Sequence, residues 1–129
     1  MLFKKTLVSL LMAVAVSANA DVKITQEDIL GAWQVDAEAI SLDGRGLKPL
    51  KSLWTFRKDG TMEGYSTDSN AHARVSEFRA TLQYEIEDGK IHKQVSSGRS
   101  KLETCTVIEK KDPKMTIECN GIFFFLTRK

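Results

Sequence analysis

The sequence predicts an all-β protein, an eight-stranded up-and-down antiparallel barrel preceded by a short N-terminal helical turn. Apolar and polar side chains alternate without exception over Phe78–Glu87, which is typical of a strand with one buried face. Tight-turn dipeptides separate further segments at Asp59-Gly60, Asp88-Gly89 and Asn120-Gly121. Because eight consecutive strands lose their exposed edges by closing on themselves, a barrel is the simplest architecture. A sandwich and a half-open sheet are the alternatives.

The helical turn is predicted just before the first strand. Thr25 is placed to act as its N-cap, with Asp28 at the third helical position. Ile24 and Ile29 have the spacing of a hydrophobic staple across the same turn. Gly31 is expected to end it.

The strands follow in sequence order, and Trp33, Val35 and Ala37 share one face of the first. Strands alternate in direction, so the two long connections, 42–51 and 67–77, lie at the same end of the barrel. The opposite end has tight turns alone, so we expect one closed end and one mouth. The predicted strands are Ala32–Ser41, Ser52–Lys58, Thr61–Ser66, Phe78–Glu87, Lys90–Val95, Ser100–Glu109, Lys114–Cys119 and Ile122–Thr127.

The first twenty residues have the pattern of a secretory signal peptide. Lys4 and Lys5 precede an apolar run over 7–16, and Ala18-Asn19-Ala20 supplies small residues for cleavage before Asp21. The run is too short to span a bilayer and no second one follows it, so we expect no membrane span. Residues 21–129 should then form a single exported domain, periplasmic or secreted.

Charge argues against nucleic acid as a partner. The sequence holds 19 basic and 17 acidic residues, and Lys4 and Lys5 of the leader account for the excess. The mature domain is therefore near neutral, without the basic surplus of a nucleic-acid-binding protein.

The two cysteines indicate a structural disulfide, because an exported chain with an even count usually pairs them. A turn signal over 110–114 separates them, and no C-x-x-C redox pair is present. Directly opposed residues of a hairpin lie close enough for a bridge. A hairpin folded about Asp112 pairs Glu109 with Met115, Val107 with Ile117, and Cys105 with Cys119.

Gly31-Ala32-Trp33 opens the first strand after a helical turn, and Arg128 follows the last strand. This pattern resembles the lipocalin and calycin family, and the hairpin over 56–61 is similar to bacterial lipocalin-like domains. The resemblance implies that Arg128 stacks on Trp33 at the closed end of the barrel. It also implies a lipocalin-like barrel.

The inward side chains are the candidate ligand site. In an eight-stranded barrel they either fill the interior or line one small cavity, and both alternatives remain open. A tyrosine hydroxyl among them would be a polar point in a pocket. Basic residues in the mouth loops slightly favour an acidic ligand head group. The residues predicted to bind ligand are Trp54, Phe56, Phe78, Leu82, Tyr84 and Phe124.

The leading function is therefore binding of a small apolar or amphipathic ligand by an exported monomer. The alternative is a protein-binding module, of the inhibitor or immunity type, that uses the long loops or an outward strip of Phe123 and Phe125. An enzyme is not expected, because nucleophile, metalloprotease and phosphate-loop motifs are missing. We also expect no cofactor and no metal, since no ligand set is spaced around His72 or His92.

Overall fold

Eight antiparallel strands form a closed barrel in up-and-down order in the computed structural model, as the sequence predicts. The structure describes residues 22–67 and 77–129. The predicted signal peptide with its cleavage site, and most of the third connection including His72, lie outside these residues. None of the helices in the described part is both long and apolar enough to cross a membrane.

The elements begin with a short helix, α1, at Gln26–Ile29. The eight strands are β1 (Gly31–Ala39), β2 (Lys48–Phe56), β3 (Thr61–Ser66), β4 (Phe78–Glu87), β5 (Lys90–Gln94), β6 (Leu102–Lys111), β7 (Lys114–Cys119) and β8 (Ile122–Arg128).

The first connection is shorter than predicted. β2 begins at Lys48, inside the segment expected to be loop, because Ala37 and Glu38 of β1 pair with Pro49 and Lys48. An irregularity between Val35 and Ala37 allows this extra pairing. The connecting loop therefore covers only 40–47.

The β6–β7 hairpin confirms most of its predicted register. Cys105 faces Cys119, and the disulfide between these buried residues is present. The predicted pairing of Glu109 with Met115 is wrong, since Glu109 faces Thr116. The turn has two residues, which shifts the register by one, and a bulge at Ile108 restores it before the cysteines.

The phenylalanines of the last strand have the predicted orientation. Leu126 faces Met115 and Phe124 faces Ile117, so these four side chains share the inward face. Phe123 and Phe125 lie on the outward face and are half-buried.

The helix α1 covers the closed end of the barrel. Its N-terminus is capped, because Asp28 Oδ2 accepts a hydrogen bond from the Thr25 amide at 2.8 Å. Ile24 and Ile29, the predicted staple pair, are both buried in the core. The segment before the helix is held by a hydrogen bond from the Ile24 amide to the Gly89 carbonyl, at 3.2 Å.

Trp33 and Arg128 fasten this helix to the barrel. Trp33 is fully buried, and its indole N–H donates to the Ile29 carbonyl at 2.9 Å. The Arg128 guanidinium lies 4.3 Å from the centre of the Trp33 ring and donates to the carbonyls of Leu30 and Asp28. These carbonyls at the end of α1 have no partner within the helix, so Arg128 satisfies them while covering the indole.

Replacing Arg128 with alanine is expected to lower the free energy of unfolding by about 1–2 kcal/mol. The change removes the cation–π contact and both hydrogen bonds to the end of α1. Denaturant melts of Arg128→Ala and of Lys129→Ala, an equal loss of charge at the exposed neighbour, measure the difference. Equal stability of the two variants would contradict this role for Arg128.

Removing the disulfide by Cys105→Ala with Cys119→Ala is expected to lower the free energy of unfolding by roughly 3 kcal/mol. The bridge closes a loop between residues 14 positions apart, and the entropy of the unfolded chain rises without it. Denaturant melts of the double variant and of the unaltered protein measure the difference.

Thiol labelling of the denatured, unreduced protein from its own host should find no reactive cysteine. Two reactive thiols would show that the bridge does not form there.

Candidate functional site

The inward side chains of β2, β3 and β4 become smaller toward the mouth of the barrel. Near the closed end large residues fill the interior, whereas glycine, alanine and serine occupy most inward positions above them. A barrel position without a large side chain leaves volume that its neighbours do not fill. From closed end to mouth, the opposed inward residues are Phe56, Met62 and Leu82, then Trp54, Gly64 and Ala80, then Ser52, Ser66 and Phe78.

These small residues leave a cavity of about 410 Å³ in the mouth half of the barrel. The volume is that of a pocket for a small molecule, which runs to roughly 300–1,000 Å³. Its rim is accessible, since Phe78 and Val95 are 65% and 45% exposed. The cavity is lined by Ser52, Trp54, Met62, Gly64, Tyr65, Ser66, Phe78, Ala80, Leu82, Lys93, Val95, Ser96 and Ser97.

The cavity lies beside an incomplete seam between β4 and β5. Their ladder ends at Tyr84 and Lys93, so the mouth half of β4 pairs with β3 alone. The Gln94 side chain replaces the ladder at this point: it accepts from the Gln83 amide at 2.8 Å and donates to the Arg99 carbonyl at 2.7 Å. The backbone ladder of this wall is therefore incomplete beside the cavity.

A buried lysine forms part of the cavity wall. The Lys93 ammonium lies 3.1 Å from Glu103 Oε2, and the two side chains are only 9% and 14% exposed. The same nitrogen lies 5.4 Å from the centre of the Trp54 ring, within the range of a cation–π contact. The partners are directly opposed on β5 and β6, so the backbone register alone brings them together.

This ion pair was not predicted from the sequence, although the strand patterns contain a signal for it. Lys93 alternates with Ile91 and Val95, and Glu103 alternates with Cys105 and Val107, so each charge occupies an inward position of its strand. Inward charges of opposite sign on neighbouring strands predict a buried ion pair.

Three of the six predicted ligand residues line the cavity. Trp54 and Leu82 lie against its inner part and Phe78 lies at its rim. Phe124 packs against Trp54 with ring centres 5.3 Å apart, and it is not among the residues that line the cavity.

The other two predicted ligand residues, Phe56 and Tyr84, lie toward the closed end. Their rings pack edge to face with centres 5.1 Å apart. The Tyr84 hydroxyl donates to the Arg57 carbonyl at 2.7 Å and accepts from Gln26 at 3.2 Å, so it joins α1 to the β2–β3 turn. Burial raises the pKa of Tyr84 above its ordinary value. The Tyr84 hydroxyl, which the sequence suggested as a polar group of the pocket, is therefore outside the cavity lining, whereas Lys93 is part of it.

The side chains of His92 and of the two cysteines have structural partners. The His92 ring nitrogens lie 3.3 Å from the Glu87 carbonyl and 3.1 Å from the Thr104 hydroxyl. Among the described residues, Glu103, Cys105 and Cys119 come close enough together to hold a metal ion. The sulfurs of Cys105 and Cys119 are joined in the disulfide. Because cysteine binds a metal ion as the thiolate, the disulfide form of these residues does not supply metal ligands.

No protein-family model, curated protein or solved structure matches the chain. The closed eight-stranded antiparallel barrel is consistent with the lipocalin and calycin architecture without being specific to it.

Replacing Tyr84 with phenylalanine is expected to lower the free energy of unfolding by about 1 kcal/mol, because a buried hydrogen bond to the Arg57 carbonyl is lost. Binding of an apolar probe to the cavity should stay unchanged, since Tyr84 lies outside its lining. The control for stability is Tyr65→Phe, whose hydroxyl is bonded to Glu77 on the exposed surface. Because Tyr65 itself lines the cavity, probe binding by Tyr84→Phe is compared with the unaltered protein. Loss of probe binding in Tyr84→Phe would place the ligand at the closed end instead.

Proposed function

We propose that this protein is an exported, lipocalin-like binding protein that holds a small apolar or amphipathic ligand in the mouth cavity. The observation that carries the proposal is the cavity of about 410 Å³, which lies next to Trp54 and has Met62 and Leu82 in its lining. Export rests on the leader-like residues 1–20.

The side chains that line the cavity favour an apolar ligand. Trp54, Met62, Leu82 and Phe78 present hydrocarbon and ring surface to it. Each Å² of apolar surface that a ligand removes from water contributes about 25 cal/mol to binding, before the cost of association. The accessible rim at Phe78 and Val95 gives a ligand a route into the cavity.

Filling the cavity tests the proposal. Gly64→Leu places a side chain in the space, and a Cβ at this position would lie 3.9 Å from the Ala80 carbonyl oxygen and 4.0 Å from Trp54 Cδ1. These are ordinary contact distances, so the strand should tolerate the substitution. Diphenylhexatriene, a neutral apolar probe that fluoresces out of water, is expected to bind the unaltered protein and to bind this variant at least about tenfold more weakly.

Thr81→Leu is the matched control, because Thr81 lies on the exposed face of β4. It should bind the probe as the unaltered protein does. Failure of the unaltered protein to bind the probe, or equal binding by Gly64→Leu, would contradict a ligand-binding cavity.

The second candidate function is a protein-binding module that uses the β1–β2 loop. Ile40, Leu42 and Leu47 in this loop are each more than half exposed, which is unusual for large apolar side chains so close together. A groove of about 470 Å³ on the outer wall continues from Leu42 to Ile108 and Phe125. If the unaltered protein does not bind diphenylhexatriene, protein binding is favoured over the binding of a small ligand.

A further inference from the structure

Resting on the proposed function, we infer that the ligand carries a neutral hydrogen-bond acceptor, a hydroxyl or carbonyl oxygen, and that Lys93 binds it. The ligand is thus an amphiphile without a charged head group, its apolar part against Trp54 and its polar oxygen at the Lys93 ammonium. This replaces the acidic head group that the loop charges favoured.

The Lys93 ammonium has unused hydrogen-bonding capacity. A lysine ammonium has three N–H donors. Within residues 22–67 and 77–129, its hydrogen-bond acceptor is Glu103, and the centre of the Trp54 ring lies 5.4 Å away. Because Lys93 also lines the cavity, a remaining donor is available to an oxygen placed there.

The positive charge of Lys93 is balanced by Glu103. Glu103 does not line the cavity, yet its carboxylate lies 3.1 Å from the Lys93 nitrogen and neutralises it. An anionic head group bound by Lys93 would be repelled by Glu103 from a few ångströms away. It would also lose its hydration on entering a mainly apolar cavity, with no net countercharge to offset that cost.

A neutral oxygen avoids both penalties. It accepts a charge-assisted hydrogen bond from Lys93 and leaves the ion pair with Glu103 intact. A cationic head group is also disfavoured. Lys93 lines the cavity and Glu103 does not, so the cation would meet the Lys93 ammonium first and be repelled by it. The pair therefore selects a neutral acceptor over either charge.

Head-group selection is tested with three amphiphiles that share one chain: dodecanol, dodecanoate and dodecylamine, each displacing diphenylhexatriene at neutral pH. Dodecanol is expected to bind at least about tenfold more tightly than either charged analogue. Glu103→Gln leaves the ammonium without its countercharge and should shift the preference to dodecanoate. Lys93→Met leaves the carboxylate unpaired and should shift it to dodecylamine.

Removing one partner of a buried ion pair is costly to folding, so the double variant Lys93→Met with Glu103→Leu is included. It should still bind diphenylhexatriene, but it should lose about tenfold in affinity for dodecanol. Lys23→Met removes a lysine from an exposed pair with Asp88 and should change none of the affinities.

The outcomes separate the two proposals. Tightest binding of dodecanoate by the unaltered protein, or equal binding of all three amphiphiles, would overturn the role of Lys93 and leave the ligand-binding cavity standing. Dodecanol affinity unchanged in the double variant would do the same. Failure of diphenylhexatriene and all three amphiphiles to bind would overturn both.

Discussion

Pairing of β1 with β8 closes the barrel, and this seam brings together two residues that cover one end of it, Trp33 and Arg128. Trp33 faces Arg128 at the start of β1, so the guanidinium meets both the indole and the end of α1. The helix, the indole and the arginine together cover one end of the core. The accessible interior is therefore confined to the other end, where connections are longer and inward residues are smaller.

The mouth half combines two features that stability alone would not favour. Gly64 and Ala80 leave packing volume unfilled beside Trp54, and close packing is what normally stabilises a core. Lys93 and Glu103 are held as a buried ion pair, which well-packed apolar residues often replace without loss of stability. A ligand with an apolar body and a neutral polar oxygen is complementary to both features at once.

Local patterns predicted much of this fold. Alternation and turn dipeptides located the eight strands, and the opposed cysteines of one hairpin placed the disulfide. Two predictions failed for different reasons. In the β6–β7 hairpin, a two-residue turn and the bulge in β6 shift the register locally, which alternation does not reveal. Tyr84 is inward but bonded to Gln26 of α1, a residue distant in sequence. The cavity arises where Gly64 meets Trp54 and Ala80 across two interfaces, which no single strand pattern contains.

The most direct measurement is a titration of the isotope-labelled protein with dodecanol, followed by the backbone amide resonances. Binding in the mouth cavity predicts concentration-dependent shifts at Gly64, Ala80 and Lys93, with resonances of Trp33 and its neighbours at the closed end unchanged. Shifts confined to the exposed β1–β2 loop, or spread over the closed end, would contradict a binding cavity at the mouth.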